Sequence, residues 1–81
     1  MYIYTVLLIN VDSTYESSVK GVFSSFDKAV EYIVEKIRPM LEDDPDYYDH
    51  KTPEAFREEL YNKWECCPFD IYRINKHTLD N

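Results

Sequence analysis

Residues 2–11 form a run, YIYTVLLINV, that is largely apolar on both of its alternating sides: Tyr2, Tyr4, Val6, Leu8 and Asn10 on one, Ile3, Thr5, Leu7, Ile9 and Val11 on the other. Ile, Val, Leu, Thr and Tyr dominate and neither Pro nor Gly interrupts, so the run predicts a strand. A strand apolar on both faces belongs in the middle of a sheet, or where the sheet's second face meets another subunit. The polar stretch 12–18 then predicts a loop and residues 19–23 a shorter returning strand, so the chain opens with a hairpin.

The period changes after residue 23. Ser24 or Ser25 can accept a hydrogen bond from a free amide of a first helical turn, and Asp27 places negative charge where the helix dipole favours it. Phe26, Ala29, Val30, Ile33, Val34 and Ile37 recur at three- and four-residue intervals, the stripe of a helix lying on a sheet. Pro39 lacks an amide and disfavours helix at Arg38, which predicts an end or a bend there. Residues 42–51 carry no apolar period and predict an exposed acidic loop. Thr52 and Pro53 suit the cap and first position of a second helix, which reaches to about Glu65 with Phe56, Leu60 and Trp64 on one narrow stripe and Glu59 and Lys63 at a favourable spacing. Pro68 marks its exit. Residues 69–74 predict a third strand, with Phe69, Ile71 and Arg73 on one side and Asp70, Tyr72 and Ile74 on the other, and 75–81 a fraying tail.

Strand, strand, helix, helix, strand predicts an α+β fold: a three-stranded antiparallel sheet with the first strand in the centre and both helices packed on one face. The 81 residues make a single domain. If the helices cover one face, either Tyr4, Val6 and Leu8 or Ile3, Leu7 and Ile9 need other cover: a symmetric homodimer is the simplest closed arrangement, and the alternative is that the loop 42–51 folds back and caps that face with Tyr47 and Tyr48 in the core.

Composition narrows the chemistry. The 44% hydrophobic content and eight tyrosines argue for a folded chain. The apolar start has no preceding Lys or Arg and no small-residue cleavage pattern, and it is too short to span a bilayer, which predicts a cytoplasmic protein without a membrane partner. A single Gly excludes the phosphate-cradling loops of nucleotide-binding folds. The only cysteines, Cys66 and Cys67, are adjacent, suit neither a relaxed mutual disulfide nor a structural zinc, and read as reduced thiols beside the core. Asp44, Asp46 and Asp49 suggest calcium, but the glycine and the glutamate that such a loop needs at its sixth and twelfth positions are Asp49 and Ala55. No cofactor or metal is expected. A Cys–His pair of Cys66 or Cys67 with His77 stays open on sequence, with His50 and His77 otherwise surface residues.

Charge changes the picture most. Eight of sixteen acidic residues fall between 42 and 59, namely Glu42, Asp43, Asp44, Asp46, Asp49, Glu54, Glu58 and Glu59, opposed by Lys51 and Arg57 alone. Such a local field attracts cationic surfaces and repels nucleic acid and anionic lipid. Tyr47 and Tyr48 sit within the segment; they either pack down on the second helix or serve as aromatic anchors of a contact surface. The candidate partner-binding set is Glu42, Asp43, Asp44, Asp46, Tyr47, Tyr48, Asp49, Glu54 and Glu58.

The run 21–33, GVFSSFDKAVEYI, with the closing 69–74 FDIYRI and Leu79-Asp80, resembles small bacterial and phage domains in which a hairpin enters a helix through an F-S-S-x-x-x-A turn and a late strand ends in an L-D pair. The likeness covers about a third of the chain. It supports the fold and implies no activity. In type, though not in motif, the chain is similar to small acidic phage inhibitors of host nucleases, including anti-CRISPR and anti-restriction DNA mimics. The expected function is accordingly a non-enzymatic inhibitor or modulator that docks an acidic face on the basic groove of a larger protein, without binding nucleic acid itself. The alternative is a homodimeric structural or accessory domain with no cationic target, and a small enzyme ranks third.

Overall fold

The computed structural model describes residues 1–10, 17–44, 46 and 51–78. Two strands, β1 (Tyr2–Ile9) and β2 (Ser17–Phe23), precede two helices, α1 (Phe26–Asp43) and α2 (Pro53–Lys63); β3 (Glu65–Cys66) and β4 (Ile71–Thr78) complete the order. The strands form one antiparallel sheet in the order β2-β1-β4-β3. The fold is α+β with two helices as expected, but the sheet has four strands where three were predicted. The additional strand, β3, begins at Glu65, where the second helix was expected to end, and takes Cys66 after it.

Trp64 is where that helix stops. Its backbone adopts φ 63° and ψ 14°, the left-handed conformation that turns a chain out of a helix, while its amide still donates to the Leu60 carbonyl at 2.9 Å. Its own carbonyl accepts from the Ile74 amide at 2.8 Å, so the helix cap feeds directly into the edge of β4. Glu65 and Cys66 then pair with Arg73 and Tyr72.

The last strand is also longer than its apolar pattern suggested. Residues 75–78, expected to fray, pair with Tyr2–Thr5 of β1 through Asn75–Thr5, Lys76–Tyr4, His77–Ile3 and Thr78–Tyr2. The ladder extends because β1 offers eight residues of unpaired backbone, a demand that polar side chains satisfy as well as apolar ones.

Helix α1 begins as expected, with the Ser25 hydroxyl accepting from the Lys28 amide at 3.2 Å. It does not end at Arg38: it runs through Pro39 to Asp43. A proline inside a helix costs roughly 3 kcal/mol. Past it, Leu41 is buried, which returns about 1.5–3 kcal/mol of that cost. Helix α2 starts with Thr52 accepting from the Ala55 amide at 3.3 Å and Pro53 in the first turn.

The core lies between the helices and one face of the sheet. Val6, Ala29, Val30, Ile33, Val34, Ile37 and Leu60 are wholly buried there with Phe56, Cys66, Tyr72 and Ile74, and Tyr4, Leu8, Phe23, Phe26, Tyr32 and Trp64 pack at its margin. Of the two alternating sides of β1, Tyr4, Val6 and Leu8 therefore face the helices, and Ile3, Thr5, Leu7 and Ile9 face away.

Strand β2 carries an irregularity that decides where its valines point. Gly21 lies opposite Val6 and Val19 opposite Leu7, leaving Lys20 as an extra residue. Such a bulge reverses the alternation beyond it. Val19 thus joins Val22 on the side away from the helices, while Gly21 and Phe23 stay on the core side. The chain passes Gly21 close to the Phe23 ring: a β-carbon there would meet it at 2.6 Å, so the ring would have to shift. That ring packs on Tyr32 with centroids 5.2 Å apart.

Candidate functional site

The two helices lie side by side and their outward surfaces form one layer that collects the acidic residues. Among the described residues of 26–63, ten carboxylates face six basic side chains, a net charge of −4 out of the chain's −7. The described strands and their flanks, 1–10, 17–25 and 64–78, hold Lys20, Arg73 and Lys76 against Glu65 and Asp70, a net of +1. The described residues are electrostatically two-sided, acidic over the helices and close to neutral over the sheet.

Within the helical layer the acids divide into two groups. One group stitches the helices together. Arg57 on α2 reaches α1 with a forked pair of bonds, its Nε and Nη2 each donating to a different Glu31 oxygen at 2.9 Å, and it also pairs with Glu54. Hydrogen bonding to Glu31 and then to Glu54 pushes the guanidinium's pKa further up, and the same bond from Arg57 holds the Glu54 carboxyl below its ordinary value. Four residues on, the Tyr61 hydroxyl donates to Asp27 Oδ1 at 2.7 Å, and this bond, with some desolvation, raises the phenol's pKa. Arg38 makes a looser contact with Glu35 at 3.4 Å.

The second group lies at the carboxyl end of α1. Glu42 and Asp43 are exposed in its last turn, which contains no basic residue, and Asp44 caps it with its amide donating to Met40 at 3.2 Å. Unsatisfied carbonyls give this end of a helix negative character, so each added carboxylate there is unfavourable by roughly 0.3–1 kcal/mol. Asp46 is exposed just beyond, and Glu58 is exposed on α2.

Of the residues expected in a partner-binding surface, Glu42, Asp43, Asp44, Asp46, Glu54 and Glu58 are exposed in or beside the helical layer. Glu42 and Asp43 belong to the helix and not to a loop, because α1 continues past Pro39. Glu54 is engaged by Arg57 within the molecule. Tyr47, Tyr48 and Asp49 lie outside the described residues, as does His50. The interhelical clip of Asp27, Glu31, Arg57 and Tyr61 was missed on sequence, since its partners stand 26 and 34 positions apart and neither helix pattern marks them. Arg57 was the one available signal, as one of only two bases among eight acids between residues 42 and 59.

The remaining candidates for chemistry are dispersed. Cys66 and Cys67 are free thiols, one buried and one exposed, beside a cleft of about 260 Å³ shared with Glu59, Lys63 and Glu65. Desolvation, followed by the charge of Glu59, pushes the Cys66 thiol up to about 12, so it is held as the inert protonated form. His77 does not meet the cysteines. Cys66 sits opposite Tyr72, and five further residues of β4 separate His77 from it by about 17 Å at strand spacing. The imidazole instead bonds the Thr5 hydroxyl at 3.1 Å. Among the described residues no group of three or more His, Cys, Asp or Glu side chains is placed to hold a metal ion, and no helix is long and apolar enough to cross a membrane. Comparison with protein-family models, with curated proteins and with solved structures finds no match.

Proposed function

We propose that the chain is a non-enzymatic binding protein that docks the acidic end of its helical layer on a cationic, nucleic-acid-binding site of a larger protein and so occupies that site. The observation that carries this reading is the placement of Glu42 and Asp43 in the last turn of α1, beside the capping Asp44. Carboxylates there oppose the helix dipole, so they are not explained by stability. Nucleic acid presents a dense row of negative charge to grooves lined with Lys and Arg, and a rigid acidic helix end meets the same groove on similar terms. The Arg57 clip fixes the two helices relative to one another, which keeps that end preorganised.

The test is a triple variant, Glu42→Gln, Asp43→Asn and Glu58→Gln. Because two of its changes relieve an unfavourable helix-end interaction, its thermal stability should equal or exceed that of the natural sequence, by about 0.3–1 kcal/mol per relieved charge. A partner captured from lysate by the natural chain is then used as the purified probe in stopped-flow binding against salt, with duplex DNA as competitor. The variant should associate at least about tenfold more slowly with a flattened salt dependence, since charges of this kind act through the on-rate. Unchanged association by the variant, or capture that DNA does not compete, refutes the proposal.

A further inference from the structure

Among the described residues both helices lie on one side of the sheet and no helix packs on the other. On that side the pairing places Val19 beside Leu7, Ile71 beside Ile9 and Val22 beside Thr5, with Ile3 at the end of the same face; Ile9 is buried and Ile3, Leu7 and Ile71 are partly exposed, so Val19 and Val22 are its accessible apolar groups. Val19 and Val22 are 60% and 58% exposed, the most accessible branched aliphatic side chains among the described residues, and the bulge at Lys20 is what brings both onto this face. A bulge on an edge strand commonly breaks up an adhesive surface. Here it does the reverse, turning outward a valine that regular alternation would have directed toward the helices.

We infer that this open sheet face is a self-association surface and that its occupant is a second copy of the same chain, packed sheet against sheet. Charge favours a copy over a foreign protein. Among the described residues the ionised side chains of this face, Arg73 and Glu65, pair with each other at 3.5 Å, and His77 is bonded to Thr5, so the described part of the face presents no net field to select a partner of opposite sign. The acidity of the chain also does not oppose the pairing. In a face-to-face dimer two sheets lie about 10 Å apart and each helical layer stands roughly a further 10 Å outward, which separates the two acidic layers by about 30 Å. That distance is roughly three Debye lengths at moderate salt.

The area suits a weak, reversible dimer. Strands of eight residues span about 26 Å, and four strands across give a footprint of roughly 450 Å² in projection, nearer the lower end of specific interfaces than the standard of about 800 Å² per partner. Sheet-on-sheet packing also accounts for the apolar character of both sides of β1, which a single helical layer leaves half explained.

Sedimentation equilibrium of the full chain, from micromolar to submillimolar concentration, tests the inference. The natural chain should pass from 9.8 kDa toward twice that mass. High salt should leave the association unchanged or tighten it, which separates it from any contact made by the acidic layer. Val19→Lys combined with Val22→Lys, at positions exposed enough to leave the fold intact, should weaken the dimer by at least about tenfold with an unchanged melting curve. Ser18→Lys, on the same edge strand but on the other face opposite Leu8, should have no effect, and so distinguishes face packing from pairing along the β2 edge. A strict monomer at every concentration, a dimer indifferent to the double variant, or equal sensitivity to Ser18→Lys overturns it.

Discussion

Replacing Trp64 by alanine and, separately, by glycine separates two effects that the structure superimposes at one residue. Trp64 is the sole described non-glycine residue with positive φ, and its indole packs on Phe26 at 4.5 Å between centroids and on Tyr4 at 6.2 Å. Both variants lose the ring. Truncating a core aromatic to alanine costs about 3–5 kcal/mol, and for a ring that is only partly buried about 2–3 kcal/mol is the expected share. The backbone term differs between them. A residue with a β-carbon gives up roughly 1–2 kcal/mol in the left-handed region, which glycine does not. Glycine in turn loses about 0.4–1 kcal/mol more chain entropy on folding. The balance favours the glycine variant by about 0.5–1 kcal/mol, the reverse of the order at an ordinary helical position.

In a domain of this size that difference amounts to about 2–8 °C in melting temperature. Since Trp64 is the chain's single tryptophan, the assay is urea and thermal unfolding followed by far-ultraviolet circular dichroism rather than by fluorescence. An alanine variant as stable as the glycine variant, or more so, refutes the reasoning, because it would mean that the positive φ carries no strain or that the chain leaves the helix by another route.

Two further outcomes are expected. Ile33→Ala, at a wholly buried position in the middle of α1, should lose about 2–5 kcal/mol, whereas Glu35→Ala, exposed and joined to Arg38 by one long contact, should stay within about 0.5 kcal/mol; equal urea midpoints for the two would show that the helix is rotated from the orientation described. Alkylation at pH 8 should modify Cys67 quickly and Cys66 only at the rate of unfolding, and the Cys66 thiol, raised to about 12 in the folded chain, should make stability fall with pH: its contribution is full below the ordinary thiol value near 9, where both states hold the proton, and is lost between there and 12 as the unfolded chain alone releases it. Two thiols reacting at one rate, or a Cys66→Ala variant that keeps the alkaline loss of the natural chain, would contradict this.

The apolar periods placed β1 at the centre of the sheet and α1 on its face because both elements bury a pattern that the sequence writes locally. The departures are all places where a non-local demand outweighed a local one. Pro39 should have ended α1, but Leu41 beyond it reaches the core, and a buried leucine offsets much of what the missing bond costs. Residues 75–78 look polar and terminal, yet the first half of β1 needs a partner for its backbone, and β4 supplies it. Trp64 fits the apolar stripe of α2 at helical spacing, and its side chain does join the core. Its backbone has nevertheless left the helix, a distinction that side-chain periodicity does not carry.

The candidate surfaces were legible to unequal degrees for a related reason. A count of charges along the chain finds the acidic segment but treats its acids as equivalent, whereas in space Glu54 is engaged by Arg57 and Glu42 is exposed in a last helical turn that contains no base. The same count credits the segment with Arg57 as a neutralising charge. Yet that guanidinium shares its single charge between Glu31, a residue of the other helix, and Glu54, so less of it offsets the segment than the count assumes. The open sheet face was visible as two apolar sides of one strand, but which side stayed open depended on the helices, and how adhesive it became depended on one extra residue in β2. An insertion that shifts alternation by one leaves the list of apolar residues unchanged while reassigning the face each occupies, so periodicity alone could locate Val19 in a strand and not on a surface.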